Sequence, residues 1–540
     1  MDQIFNKSPI YIYIYVHINT PKNIFPTIIL KHPIHKDICS LSSTFNIEKM
    51  KKAELVFIPI PGRGHLLSMV EFAKLLVARD PHLYVTILIM KLPFDTKVGA
   101  YTASLVSSSS NRINCIDLPI NEKVYTESNP PVFMTSFIED QKPHVKNAVT
   151  QLIQSRDVDD EDSPRLAGFV IDMFCTTMID VANEFGIPTY VFFASGAGFL
   201  GLLFHLQHLS DNHNVNITEY ENDPEAELVI PSFVNPFPSK VLPVLVLDKD
   251  GGPVMMNHAR RIRETKGIIV NTFTELESHA VYSLSNGDHE FPPVYPVGPI
   301  LNLRSDESHV GSVNQIQNSD IIRWLDNQPP SSVVFVCFGS MGSFSEDQVK
   351  EIAYGLEQSG QRFIWSLRPP PPTDKMGLPS DYLDPTVVLP EGFLGRTAEV
   401  GKVIGWAPQV EILSHSATGG FVSHCGWNST LESLWFGVPI ATWPIFAEQQ
   451  LNAFQMVKEF GCAVEIKLDY RREFNSDGDD QAVVSAQEIE RGIRRVMDDD
   501  SDIRKRTKEI SEQSRRTLVD GGTSFSCLGH LINDILKKVS

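Results

Sequence analysis

From Met50 onward the chain alternates short runs of β-branched and aromatic residues with longer stretches of helical periodicity, and it does so in two successive series. That alternation restricts the fold to parallel sheets covered by helices, because two parallel strands can be joined only by a long crossover connection. In the first series "ELVFIPI" (Glu54 to Ile60) predicts a strand, "HLLSMVEFAKLLVAR" a helix and "LYVTILIM" a second strand, and the pattern continues through "LAGFVID" (Leu166 to Asp172), "MIDVANEF" and "TYVFFA". It closes near "PPVYPVGPIL" (Pro292 to Leu301), whose prolines read as a linker. The second series opens with "SVVFVCFGS" (Ser332 to Ser340) and a helix from about Glu346. It runs on through "RFIWSL", "GKVIGW", "GGFVSH", a helix from Asn428, "VPIATW", a helix from Glu448 and "CAVEI", and three helical stretches between Ala486 and Val539 finish the chain.

The expected architecture is therefore α/β, with two Rossmann-like doubly wound domains facing across a cleft. The expected boundaries are 50–300 for the first domain, 301–330 for a linker, 331–515 for the second domain and 516–540 for a C-terminal helix. A length of 540 residues agrees, since single cores stop growing well before that size. Residues 1–49 carry no comparable pattern. "PIYIYIYVH" from Pro9 is too short and too rich in tyrosine for the apolar region of a signal peptide, and no A-x-A site follows. The segment is read as an extension outside the fold, with Met50 as the physiological start, and the competing readings are an organellar targeting segment or an ordered appendage.

Sixty-six acidic against forty-seven basic side chains give a formal charge of −19, which opposes binding to nucleic acid or to anionic membrane surfaces. The seven cysteines (Cys39, Cys115, Cys175, Cys337, Cys425, Cys462 and Cys527) are odd in number, scattered, and form no C-x-x-C pair. They read as reduced thiols of a cytoplasmic protein, and no metal cluster can be assembled from their spacing. No apolar run reaches the ~18 residues of a membrane helix. A monomer without integral membrane association is expected.

In open parallel sheets ligands bind beyond the carboxyl ends of the strands. That rule selects Gly62, Gly64, His65 and Asp172 in the first series. In the second it selects Gly339, Ser340, Trp406, His424, Asn428, Ser429, Glu448 and Gln449. "PGRGHLL" is not a dinucleotide fingerprint: Leu67 stands where the third glycine belongs, and the acidic residue expected after the next strand is missing, which weighs against an NAD-dependent dehydrogenase. The glycines instead allow a sharp turn that leaves His65 at the start of a helix. At that place the helix dipole favours the neutral imidazole, the form a general base needs, and Asp172 is the candidate carboxylate to support the ring once it is protonated.

In "CGWNSTLESLWFGVP" a helix starting at Asn428 and Ser429 would present free backbone N–H groups to an anion such as a phosphate. Glu432, one turn on, can accept from ribose hydroxyls. The competing reading makes Asn428 only the N-cap of that helix. The sequons at Asn216 and Asn428 are glycan acceptors only in a secreted chain, and a glycan on Asn428 would block the phosphate site.

From Trp406 to Gln449 the chain reads "WAPQVEILSHSATGGFVSHCGWNSTLESLWFGVPIATWPIFAEQ", which resembles the plant secondary product glycosyltransferase box of the family 1 UDP-glycosyltransferases. "VFIPIPGRGHL", "DMFCTTMIDVANEFGIP", "VYPVGPILNL" and "PPSSVVFVCFGSMGSF" extend the resemblance from about Lys51 to the end, on the flavonoid, phenolic and terpenoid branch. The resemblance implies a GT-B fold and inverting transfer of glucose from UDP-glucose to a hydroxyl of a small lipophilic acceptor, giving a β-O-glucoside. UDP-glucose is then a co-substrate, and neither cofactor nor metal is needed. It implies that Trp406 stacks on uracil, with Ala407 and Gln409 completing the nucleoside site. His424, Asn428, Ser429 and Ser340 would contact the diphosphate and Glu432 the ribose, while Trp427, Glu448 and Gln449 would surround the sugar. Gln449 implies glucose, because galactose-preferring members tend to carry histidine there. His65 and Asp172 become the catalytic pair, and Ser195 a contact of donor or acceptor. Their presence weighs against a catalytically silent sugar-nucleotide-binding protein of the same fold. The acceptor pocket is expected on loops of the first domain, around Phe133 to Phe137, Ala194 to Phe204 and Val241 to Asp248.

Overall fold

Strands covered by helices on both faces should be buried throughout, and the central strands are, whereas strands toward the sheet edges carry exposed residues. The structure, a computed structural model, describes residues 51–92, 111–120, 129–156, 163–286, 291–303, 312–370, 380–471 and 482–537. The expectation for residues 1–49 lies outside that set, as does part of the expected linker. Five strands open the fold: β1 (Ala53–Ile58), β2 (Leu83–Ile89), β3 (Ile113–Asp117), β4 (Arg165–Asp172) and β5 (Thr189–Phe193). A short antiparallel ribbon, β6 (Glu227–Leu228) with β7 (Phe237–Pro238), precedes β8 (Gly267–Val270) and β9 (Val294–Pro296). A parallel sheet forms in the order β3-β2-β1-β4-β5-β8-β9.

The second sheet is built from β10 (Val333–Cys337), β11 (Arg362–Ser366), β12 (Gly401–Ile404), β13 (Thr418–Ser423), β14 (Ile440–Thr442) and β15 (Ala463–Glu465). It is parallel as well, in the order β12-β11-β10-β13-β14-β15. In both sheets the chain winds outward from its first strand and then returns to that strand's other side. The places where winding direction reverses are therefore β1 beside β4 and β10 beside β13, and crevices for ligands open at their carboxyl ends.

The helix Arg63–Arg79 buries Leu66, Met69, Val70, Ala73, Leu76 and Val77 against the first sheet, the i, i+3, i+4 spacing of an amphipathic helix. That stripe fixes the helix rotation and, with it, the direction in which residues of its first turn project. The final helix, Thr523–Leu536, leaves the second sheet and packs Leu528, Leu531, Ile532 and Ile535 into the core of the first. Ser524 Oγ donates to the Gly298 carbonyl at 2.6 Å and Tyr295 Oη to Asp534 at 2.8 Å, so the chain end is tied to β9 and the segment after it.

The linker reading of Pro292 to Leu301 needs correction. Val294–Pro296 is β9, pairing Ile268 with Val294 and Ile269 with Tyr295. A proline is tolerated there because β9 is an edge strand with a free side. Among the described residues no helix is long and apolar enough to cross a membrane.

Candidate active site

The first reversal point carries the two groups with the most directed chemistry. Asp172 ends β4, fully buried, and His65 sits in the first turn of the helix after β1, so adjacent strands deliver both to one crevice. His65 Nδ1 lies 2.7 Å from Asp172 Oδ2, and Oδ1 of the same carboxylate accepts from the Phe174 backbone N–H at 3.0 Å. The carboxylate is thus held from two sides. The imidazole is 34% exposed, which leaves an edge open to a ligand. Phe174 lies beside it with ring centroids 5.6 Å apart.

The expected effect of the helix dipole on His65 is outweighed. Burial lowers the imidazole pKa, but the Asp172 charge and hydrogen bond, with a contribution from Glu448, overcome it and raise the value above the ordinary one. A carboxylate in contact with the ring acts at shorter range than the partial charges of a helix end.

The second reversal point gathers the residues expected around a nucleotide. Gly339, with φ of +72°, turns the chain just past β10, and a Cβ there would stand 2.5 Å from His424 Nε2. Ser340 follows, partly exposed. His424 lies just beyond β13. Its imidazole is buried, Nδ1 has no hydrogen-bond partner, and burial together with the nearby Arg368 charge pushes its pKa down to about 4. A neutral ring serves as donor through one nitrogen only. Cys425, with φ of +62°, and Ala447, with φ of +57°, are non-glycine residues in the left-handed region on two loops of this site, and Ser423 Oγ braces the first by accepting from Cys425 N–H at 3.1 Å.

The helix after that turn spans Trp427–Phe436 with Gly426 as its N-cap and no side chain capping it. The reading of Asn428 as N-cap is therefore overturned. The first-turn amides are left for another acceptor. Gln409 Nε2 donates to Ser429 Oγ at 2.9 Å and to Glu432 at 2.6 Å, which joins three residues expected at base, phosphate and ribose. Trp406 is partly exposed, with the Arg368 guanidinium carbon 5.1 Å from its ring, and Ala407 is buried behind it in sequence.

Several expected site residues bridge the two sheets. Trp427 is buried and its indole N–H donates to the Asn271 carbonyl beyond β8 at 2.7 Å. Asn428 Nδ2 donates to the Gly64 carbonyl. Ser195, buried past β5, donates to Glu448 at 3.3 Å, and Glu448 faces His65 closely enough to act on its charge. Gln449 is buried with Oε1 accepting from Ile445 and Phe446 N–H at 2.9 and 3.0 Å. His65, Asp172, Ser195 and Glu448 thus belong to one constellation, while Trp406, Gln409, Ser429 and Glu432 form the other end.

The expected acceptor loops are largely helical. Phe133 to Phe137 lies in the helix Pro130–Gln154, Ala197 to Phe204 in the helix Ala197–His213, and Val244–Leu247 forms a helical turn. Phe133, Phe137, Phe199, Leu200 and Leu203 are buried in the core, so their apolar character reflects packing. Met134 and Leu245 stay partly accessible.

Sequence reasoning missed four polar residues here. Glu277 accepts from Ala197 and Gly198 N–H at 2.7 and 2.8 Å and from Gln455 Nε2 at 3.1 Å, anchoring the helix after Ser195 to the second sheet. His258 is buried against Thr176 Oγ1 at 2.8 Å, and burial holds its pKa down at about 4 despite Asp172. Asn271 and Arg368 lie just past β8 and β11, where the same strand-end rule would have found them; nothing in the sequence marks Glu277 or His258. Among the described residues no group of three or more His, Cys, Asp or Glu side chains is arranged to hold a metal.

Comparison with known proteins gives consistent relationships. The family described as "UDP-glucoronosyl and UDP-glucosyl transferase" matches residues 272–484. UDP-glucose flavonoid 3-O-glucosyltransferase 6 of Fragaria ananassa is 57% identical over 493 residues, covering 90% of this chain and 99% of that protein. Anthocyanidin 3-O-glucosyltransferase 1 of Manihot esculenta is 53% identical over 475 residues, covering 88% of this chain and all of that one. The crystal structure of Medicago truncatula UGT71G1 complexed with UDP-glucose is 43% identical and matches with a TM-score of 0.78 over 90% of this chain and 98% of its own.

Proposed function

The chain belongs to the UDP-glucuronosyl and UDP-glucosyl transferase family and has the GT-B fold, and on that premise we propose that it transfers glucose from UDP-glucose to a hydroxyl of a small lipophilic acceptor with inversion. The observation that carries this reading is the 2.7 Å contact between His65 Nδ1 and a fully buried Asp172 carboxylate. With Nδ1 engaged, Nε2 is the nitrogen left to take a proton. The acceptor oxygen attacks the anomeric carbon as its proton passes to His65, the bond from that carbon to the diphosphate breaks, and UDP leaves. Asp172 stabilises the imidazolium formed.

In this reading Trp406 takes the uracil, Gln409 and Glu432 the ribose end, and the amides at the start of the Trp427–Phe436 helix the diphosphate, with Ser340 and His424 as further donors. Glu448 and Gln449 receive sugar hydroxyls. The acceptor is a flavonoid, another phenolic or a terpenoid alcohol, entering beside Phe174. The protein works in the cytoplasm as a monomer without metal. The six described cysteines are all unpaired thiols, which suits a reducing compartment.

The test is incubation of the purified protein with UDP-glucose and a panel of flavonols, simple phenols and terpenoid alcohols. A β-glucoside, identified by the proton coupling at its anomeric centre, is the expected product. Nucleotide binding without product from any acceptor would identify a silent binder instead, and an α-glucoside would remove the single displacement.

A further inference from the structure

Arg368 lies two residues past β11, between the turn that follows β10 and the loop that follows β12. The residue is only 5% exposed. Buried guanidinium groups are ordinarily matched to a carboxylate, because charge taken out of water is costly without a partner. Among the described residues Arg368 makes no ion pair at contact distance, although the Asp381 carboxylate acts on its charge from farther off. One terminal nitrogen, Nη2, donates to the Gly339 carbonyl, and the other, Nη1, is buried with no hydrogen-bond partner at all. The guanidinium carbon stands 5.1 Å from the Trp406 ring centroid. Its charge also reaches the buried His424, whose Nδ1 is unpartnered too.

The contacts of Arg368 with the Gly339 carbonyl and the Trp406 face use part of the guanidinium but leave its charge without a carboxylate in contact. It is surrounded by three parts of the nucleotide end of the cleft: the Gly339–Ser340 turn, the Trp406 indole and the His424 imidazole. We infer that Arg368 is a positioning residue for the sugar nucleotide, a buried cation that backs the Trp406 indole, props the Gly339 turn and is neutralised by the diphosphate when the donor binds. This rests on the nucleotide reading given above and adds to it a residue outside the motif from Trp406 to Gln449.

Three consequences follow from the chemistry. A cation near an indole ring orients it and holds it in place, so the base-stacking surface is fixed before the nucleotide arrives. The Gly339 carbonyl, engaged by Nη2, keeps Ser340 at the end of a set turn. The charge, only partly offset by Asp381, raises affinity for an anion at the neighbouring helix start, and more for a diphosphate than for an uncharged nucleoside. The last point separates a role in the nucleotide site from one in folding alone.

The experiment compares UDP and uridine binding by calorimetry in the wild-type protein, Arg368→Met and Arg368→Lys, with UDP-glucose KM, acceptor KM and kcat measured alongside. Arg368→Met should weaken UDP by about 30-fold and uridine by about 5-fold, raise the UDP-glucose KM in step, and leave the acceptor KM unchanged. Arg368→Lys keeps the charge but loses the planar group, so UDP and uridine should weaken by the same few-fold factor and their affinity ratio should stay as in the wild type. Equal UDP and uridine affinities in wild type and folded Arg368→Met would overturn the inference. If Arg368→Met does not fold, Arg368→Lys decides: an unchanged uridine affinity, or a collapsed UDP-to-uridine ratio, would overturn it. A wild-type protein that binds no UDP would overturn instead the nucleotide reading on which it rests.

Discussion

Asn428 Nδ2 donates to the Gly64 carbonyl at 3.3 Å while its Oδ1 accepts from Ser68 Oγ at 3.2 Å, so a side chain on the helix Trp427–Phe436 holds the turn that carries His65. Ser68 Oγ also returns to the Gly64 carbonyl at 3.0 Å, closing a small network across the two sheets. In the proposed reaction, a diphosphate that recruits Asn428 would therefore act on the seating of the base. Ser68→Ala should lower kcat two- to ten-fold, about the worth of one net hydrogen bond, with little change in melting temperature or UDP affinity. Steady-state kinetics beside a thermal melt checks this, and an unaltered kcat would show that the network does not reach His65.

Gln449 gives the donor preference a geometric basis. Because its Oε1 is occupied by the Ile445 and Phe446 amides, the orientation of the side-chain amide is fixed and Nε2 is the group left to meet a sugar hydroxyl. One such hydrogen bond discriminates by about 1 to 3 kcal/mol when its loss leaves a buried group unpaired. UDP-glucose should give the higher kcat/KM, and Gln449→His should narrow its lead over UDP-galactose by roughly ten-fold or more. A wild-type preference for UDP-galactose would reverse the assignment.

Charge on the departing diphosphate can be met by the open amides at Trp427, Asn428 and Ser429 together with Ser340 and His424, a set of donors already in place before reaction. EDTA should leave the initial rate nearly unchanged. A loss of most activity that magnesium or manganese restores would contradict this.

Much of the fold was legible because a strand buried on both faces has to be apolar throughout: β1, β10 and β13 could be read directly from "ELVFIPI", "SVVFVCFGS" and "GGFVSH". β9 was lost because its prolines signalled a linker, a signal that fails at a sheet edge where no ladder hydrogen bond is forfeited. Positions at strand ends were accessible to a positional rule, as Asp172 at the end of β4 illustrates. Partners distant in sequence were not. The bond from Trp427 to Asn271 and the grip of Glu277 on Ala197 and Gly198 depend on how two sheets meet, which no local pattern encodes. Phe137 and Phe199 erred the other way, because an apolar run looks the same whether it lines a pocket or fills a core.

As the proposed catalytic pair, His65 and Asp172 would make the reaction pH-dependent in a direction that can be worked out. Burial alone would lower the imidazole pKa, but Asp172 and then Glu448 raise it above its ordinary value. A base must be unprotonated to act, so kcat/KM should fall as pH drops through that raised value, placing the acid limb above the position of an unperturbed histidine. Asp172→Asn removes the main cause of the increase and leaves burial, so the limb should move to lower pH. The plateau should also drop, since the imidazolium loses its support. Stability follows the same linkage with its own sign: a pKa raised on folding contributes stability that is full below the unfolded-state value and is lost as pH rises through the folded-state value. The wild type should therefore exceed Asp172→Asn in melting temperature more at low pH than at high pH. His65→Ala should cost ~10² to 10⁴ in kcat, the usual worth of a general base, while UDP affinity is kept because the residues proposed for the nucleotide lie on the other sheet. Acidic phenols should suffer least, because they ionise without help. Rate profiles from about pH 5 to 9 with an alkyl alcohol and a phenol as acceptors test all of this. A limb that stays in place in Asp172→Asn, or a His65→Ala protein that turns over the alcohol at the wild-type rate, would show that another group takes the proton.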